Sequence, residues 1–212
     1  MSVIANSAKN VSTGKGVAGG YFFSAPRTTA VLATLAGLSN FATPLSADFV
    51  NLGHISSDGI VIGESVTTNT DNDMNGDPIN TSRSEREETV RVTLVERRAD
   101  ALKEQYGQAN VSVVAGTSDA PDTATTVHNN DERDHRVYVA ELVKKDGLRW
   151  RVIIPDGQIT EIGDLTINSA TLLGREATIN CNAYTWTEGS GNDAVTKVGT
   201  IIEYEQLVPA SA

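Results

Sequence analysis

Several groups of residues in this sequence have types and spacings that chemistry uses. Gly14-Lys15-Gly16-Val17-Ala18-Gly19 matches the string G-x-G-x-x-G. In a dinucleotide site such glycines let the backbone approach a pyrophosphate, which then meets the N-terminus of the next helix. Here no strand pattern precedes the string and no βαβ unit follows, so it predicts a flexible arm. Asp71-x-Asp73-x-Asn75-Gly76-Asp77 imitates the opening of a calcium loop. The twelfth position should supply a bidentate Glu but is Ser82, and no helices flank the segment. A solvated turn is the expectation. The histidines are His54, His128 and His135, and none forms a close zinc pair of the H-x₃₋₅-H kind. Cys181 falls in the alternation Ala177-x-Ile179-x-Cys181-x-Ala183, where a small buried apolar residue is expected. G-x-S-x-G, H-E-x-x-H and P-loop strings are missing. No catalytic constellation emerges, and neither enzyme activity, a cofactor nor a metal site is expected. Glu85, Glu87 and Glu88 alternate with Arg83, Arg86 and Arg91, which reads as the wet face of a strand.

The elements that carry these residues follow from composition. The chain has 212 residues, 17 Lys+Arg and 27 Asp+Glu, giving a net charge of −10. That balance argues against duplex binding, which needs a basic face. One cysteine excludes a disulfide framework. The longest apolar run, Ala30 to Leu38, is far short of the roughly 20 residues a bilayer-spanning helix needs. Met1 to Ser12 lacks an apolar stretch of the signal-peptide kind, so a soluble, acidic protein made in a cytoplasm is expected. Thr, Val and Ile number 23, 21 and 13 against 13 Leu, and β-branched side chains suit pleated sheets. The class expected is mainly β.

The patterning places about eight strands and one helix in a sandwich or barrel. Residues 1–20 form the expected arm, and 21–208 one β-domain. Tyr21-Phe22-Phe23 follows the arm as an adhesive patch if exposed. Residues 45–69 read as a loop with a short helical turn, then a strand opening at Ile60. Residues 70–82 read as an exposed acidic loop. Val90, Val92 and Leu94 alternate with polar neighbours in a strand over 84–96. Arg97 to Tyr106 is the one convincing helix, with Gly107 as its cap. A short strand covers 110–114, and residues 116–134 are a polar loop. Residues 136–143 and 148–154 pair as a hairpin about Asp146-Gly147, and Asp156-Gly157 starts another reversal. Strands over 159–168, 175–187 and 195–207 complete the set, with a loop at 188–193.

The order of segments resembles the major tail protein of long, non-contractile-tailed bacteriophages, the subunit of the tail tube. The residues that carry the resemblance are Gly20-Tyr21 with Ala25-Pro26 and Thr28, Phe49 to Gly53 with Ile55 and Asp58-Gly59, and Thr93-Leu94-Val95-Glu96 running into the helix that ends Tyr106-Gly107. Arg151 to Gly157 and the strand from Ala177 to Tyr184 complete it. Two features depart from the family pattern. The arm before Tyr21 is longer, and Thr29 to Leu38 stands where Gly and Pro are usual.

The resemblance implies a virion protein of the phage tail, synthesised in the host cytoplasm. It implies hexameric rings that stack into a hollow tube, partnered by tape measure, terminator and tail-tip proteins, with DNA passing through unbound and no membrane involved. On that reading the arm and the long loops order on assembly. Tyr21, Phe22, Phe23, Asp71, Asp73 and Asp77 become the inter-subunit candidates. Carboxylates facing the lumen would repel phosphates, and the 84–94 strand and 136–154 hairpin nominate Glu85, Glu87 and Glu141. Arg91, Arg149 and Arg151 count against that face. The alternatives are a head–tail joining or capsid-decorating protein, a secretion-system tube protein, and a ligand-binding β-sandwich. The last is disfavoured by an aromatic content of 5%.

Overall fold

Strands dominate, as the Thr, Val and Ile content requires. The computed structural model describes residues 11–188 and 194–208, which form thirteen strands and two α-helices among them. The mainly β class with a flanking helix is what the structure shows. The strand number exceeds eight because short pairs lie in segments too brief to show alternation. The chain divides into two compact units, one from residues 11–53, 136–156 and 184–208, the other from 54–135 and 157–183.

In the first unit β1 (Gly14–Gly16), β2 (Phe22–Pro26), β3 (Val50–Asn51) and β8 (Arg136–Lys144) associate with the first part of β9 (Arg149–Ile162) and with β13 (Ile202–Glu205). The order is β3-β2-β8-β9, with β1 also on β8 and β13 also on β9. β8 and β9 are joined at Asp146-Gly147 as expected, with Gly147 at φ +79. β11 (Tyr184–Glu188) and β12 (Val195–Gly199) form a separate pair, and the expected loop at 188–193 lies mostly outside the described residues.

The core of this unit is Ala25, Val31, Leu35, Leu38, Val137, Val139, Ile153 and Ile202. Three of these come from the run that departs from the family pattern. Helix α1 (Thr29–Thr34) and the 3₁₀ turn Leu35–Ser39 place Val31, Leu35 and Leu38 at i, i+4, i+7, one buried stripe. Thr28 caps α1 by accepting the Val31 N–H at 3.3 Å. A run this short shows too few turns for its periodicity to predict a helix. Within 45–69 the expected helical turn is a single hydrogen-bonded turn, Phe49 N–H to Ser46 O at 3.1 Å, and no helix; β3 follows it, and β4 opens at Ile55 and fills the rest.

In the second unit β4 (Ile55–Asn72) and β5 (Pro78–Leu94) form one long antiparallel ribbon, and β10 (Arg175–Cys181) lies between β5 and the last part of β9. The acidic loop expected over 70–82 shrinks to a turn between Asn72 and Pro78. The reversal expected at Asp156-Gly157 is also absent, since β9 runs straight through it. Helix α2 (Ala99–Tyr106) buries Ala101, Leu102 and Tyr106, and Gly107 at φ +98 ends it as the sequence suggested. Leu102, Tyr106 and Val111 make a small core. β6 (Val111–Val114) pairs with β7 (Thr123–Thr126), so the polar loop of 116–134 contains a strand.

Candidate assembly surfaces

The glycine string is structural. β1 pairs with β8 in the register Gly14↔Lys144, Lys15↔Val143, Gly16↔Leu142. A Cβ on Gly16 would lie 2.4 Å from the ring of Tyr21, so glycine is required for the chain to cross that ring. The described part of the expected arm is therefore held by its own chain, while residues 1–10 lie outside the described residues. Phe22 is a correction among the contact candidates. It is buried and stacks on Tyr138 at 6.0 Å, because alternation along β2 turns it and Ser24 inward. Tyr21 and Phe23 stay half-buried.

Glu141 is a second correction. Its carboxylate is buried, 2.6 Å from Arg151 Nε and 3.2 Å from Arg149 Nη2. Arg151 is itself only 2% exposed and donates to the carbonyls of Leu38 at 2.5 Å and Thr43 at 3.3 Å. The guanidinium thus closes the carbonyl end of the 3₁₀ turn and needs the Glu141 charge beside it. Neither group presents charge to an exposed surface, which removes Glu141 as a lumen charge and Arg151 as a counter-charge.

The β4–β5 ribbon holds the remaining candidates. From residue 63 on β4 and back to residue 87 on β5 nearly every side chain is exposed, on both faces of the two strands. Glu85 and Glu87, two residues apart, share one face opposite Thr67 and Ser65. The other face carries an ion cluster in which Arg86 lies 2.7 Å from both Glu64 and Glu88. Arg91, on the same face as Glu85 and Glu87, reaches Glu176 at 4.0 Å. Asp71, Asp73 and Asp77 sit at the ribbon tip. Asp73 Oδ1 accepts the N–H groups of Asn75 at 2.8 Å and Asp77 at 2.9 Å, and these bonds hold its pKa below the ordinary carboxylate value. Asp71 accepts from Asn80 at 2.9 Å. The calcium-like spacing thus builds a hydrogen-bonded turn.

Cys181 is buried, and desolvation pushes its thiol up to about 12, the reverse of what a nucleophile needs. His54 contacts Glu96 at 3.7 Å, and His128 packs on Tyr106 at 4.6 Å. The sequence reading missed one exposed feature, the segment 163–174 between β9 and β10. It displays Ile167, Leu172 and Leu173 to solvent. Leu172-Leu173 among polar residues was the available signal. Among the described residues no helix is long and apolar enough to cross a membrane.

The architecture is that of a β-rich protein whose conspicuous surfaces are extended and exposed. A family model described as phage tail tube protein matches residues 8–185. The chain belongs to that family, and its role is structural, in the tail tube of a phage. No curated protein matches the chain.

Proposed function

We propose that copies of this chain assemble into hexameric rings that stack as the hollow tail tube through which DNA passes. Tape measure, terminator and tail-tip proteins are its partners, and the chain is made in the host cytoplasm before joining the virion. The observation that carries this reading is the β4–β5 ribbon. A two-stranded ribbon exposed on both faces gains no core of its own and is marginal alone in water. Neighbouring copies supply the cover it lacks, through the heterologous contacts by which rings close.

Glu85 and Glu87 are proposed to face the lumen, where carboxylates repel the DNA backbone. Their face has support in the structure, since Arg91 is turned to Glu176 and does not neutralise them. Negative-stain imaging at rising protein concentration tests the assembly. Long hollow filaments of uniform width are the expected result, and dispersed monomers at every concentration would overturn it. Glu85→Lys with Glu87→Lys is expected to slow genome ejection while tubes stay intact, and normal ejection removes these residues from the lumen.

A further inference from the structure

The second unit carries two exposed apolar patches at opposite ends of its ribbon. At the tip Met74 is fully exposed and Ile79 is 69% exposed. At the root, the segment 163–174 presents Ile167 at 77% and Leu172 at 73% exposure, with Leu173 beside them. The root position is fixed by register, since Arg175 pairs with Leu94, the last residue of β5. Gly174 lies so close that a Cβ there would be 3.0 Å from both Thr93 and Val95. The strand between root and tip is 17 residues long. At roughly 3.3 Å per residue the patches are about 50 Å apart along the ribbon.

Both patches are shaped in advance. The neck of the root loop is closed by Gly163 N–H to Glu176 O and by Arg175 Nε to Gly163 O, each at 2.8 Å. Within it Asn168 Oδ1 accepts from Ala170 and Thr171 N–H groups at 2.8 Å and from the Thr171 hydroxyl at 2.7 Å. The tip is held by the Asp73 turn. Preorganised apolar groups dock with a smaller ordering cost than mobile ones.

The tip carries charge of one sign, whereas the root mixes both and offers exposed cations the tip lacks. Residues 65–82 hold Asp71, Asp73 and Asp77 and no Lys or Arg. The root carries Arg97, Arg98 and Lys103, against Asp100 at 3.5 Å from Arg98. Two further carboxylates stand at the root, Glu96, which accepts the His54 backbone N–H at 2.8 Å, and Glu176, 4.0 Å from Arg91. Asp164, also in the root loop, is exposed.

We propose that the ribbon tip of one copy seats on the root of a second copy, Met74 and Ile79 packing on Ile167, Leu172 and Leu173 while the tip aspartates meet Arg97 and Arg98. The inference rests on the tube-subunit reading and names the contact within it. Because the two patches differ, the contact is heterologous and repeats from copy to copy instead of closing as a dimer.

The test is disulfide trapping of the full chain carrying Met74→Cys and Leu172→Cys, oxidised under assembly conditions, with each single variant as control. Cys181 is buried and stays out of the reaction. A ladder of dimers, trimers and larger species from the double variant alone is expected on a non-reducing gel. Oxidised assembled protein without a ladder overturns the contact, and so does a dimer that Met74→Cys forms by itself, or a disulfide confined to monomer. Unmodified protein imaged in parallel reports on tube formation separately, so failure of the contact and failure of the tube reading are distinguishable. Asp71→Lys with Asp77→Lys is expected to lower the assembled fraction about tenfold, restored by adding Arg97→Glu with Arg98→Glu. Loss without restoration removes the charge pairing.

Discussion

The centre of the first unit and the distal β4–β5 ribbon are built from opposite materials. In the first, the buried Glu141 carboxylate is shared by Arg151 and Arg149, and Val137, Val139 and Ile153 are 0% exposed. Along the ribbon from residue 63 to 87, side chains stand in solvent on both faces. The first region is covered by its own chain. The second is a long antiparallel ribbon, with register shifts at Thr67/Thr68 and Asp71/Asn72, and almost nothing packed on it, which suits a surface that meets other copies. On the assembly proposed above, stability and assembly rest on different residues, and substitutions should separate them.

The largest effect is expected at the buried ion pair. Glu141→Ala strands the Arg151 guanidinium and should cost about 3–5 kcal/mol in urea unfolding, because an uncompensated buried charge remains. A loss below about 1 kcal/mol would show that water replaces the carboxylate. Next, Ile153→Ala should cost about 2–5 kcal/mol through the cavity it leaves. The matching truncation in the ribbon, Ile79→Ala, should stay within about 0.5 kcal/mol yet reduce assembly. Equal losses at the two sites would erase the contrast between the regions. Gly16→Ala should cost about 1–3 kcal/mol, since its methyl meets the Tyr21 ring.

A smaller effect is expected from Cys181. Its thiol sits near 12 instead of its usual 9, so the folded chain keeps the proton that the unfolded chain loses. Stability from this group is full below pH 9 and falls as pH rises toward 12. Alkylation at pH 8 should accordingly be slow until denaturant is added, and rapid native labelling would contradict the burial. The smallest effect belongs to Asp73→Ala. It should speed hydrogen exchange at the Asn75 and Asp77 amides and leave overall unfolding unchanged. Acidification through the lowered Asp73 pKa should mimic it, because protonation weakens the acceptor for both N–H groups.

Much of the fold was legible, and the failures have physical causes. The alternation Val90, Val92, Leu94 gave a true strand because one face is buried there. Beyond Glu87 toward the tip no face is buried, alternation vanishes, and a strand looked like an acidic loop. Asp156-Gly157 has the residues of a turn, yet β9 passes through it with both residues buried. Tertiary context overrode turn propensity. Among the nominated surface residues, Asp71, Asp77, Glu85 and Glu87 are exposed and Asp73 is half-buried in its own turn. Phe22 and Glu141 are not exposed, because residue type does not reveal which face of a strand turns inward.

The amino-acid sequence by itself determined the class, the acidic surface, the helix over Ala99–Tyr106 and the succession of segments shared with tail tube proteins. Those properties depend on composition, local periodicity and order, which a linear chain displays. Only the tertiary structure decided that Arg151 is an internal anchor, that Gly16 yields to Tyr21, and that the apolar 163–174 segment stands at the root of a ribbon with Met74 at its tip. These relations join residues remote in sequence, and they exist only once register and burial have chosen the faces.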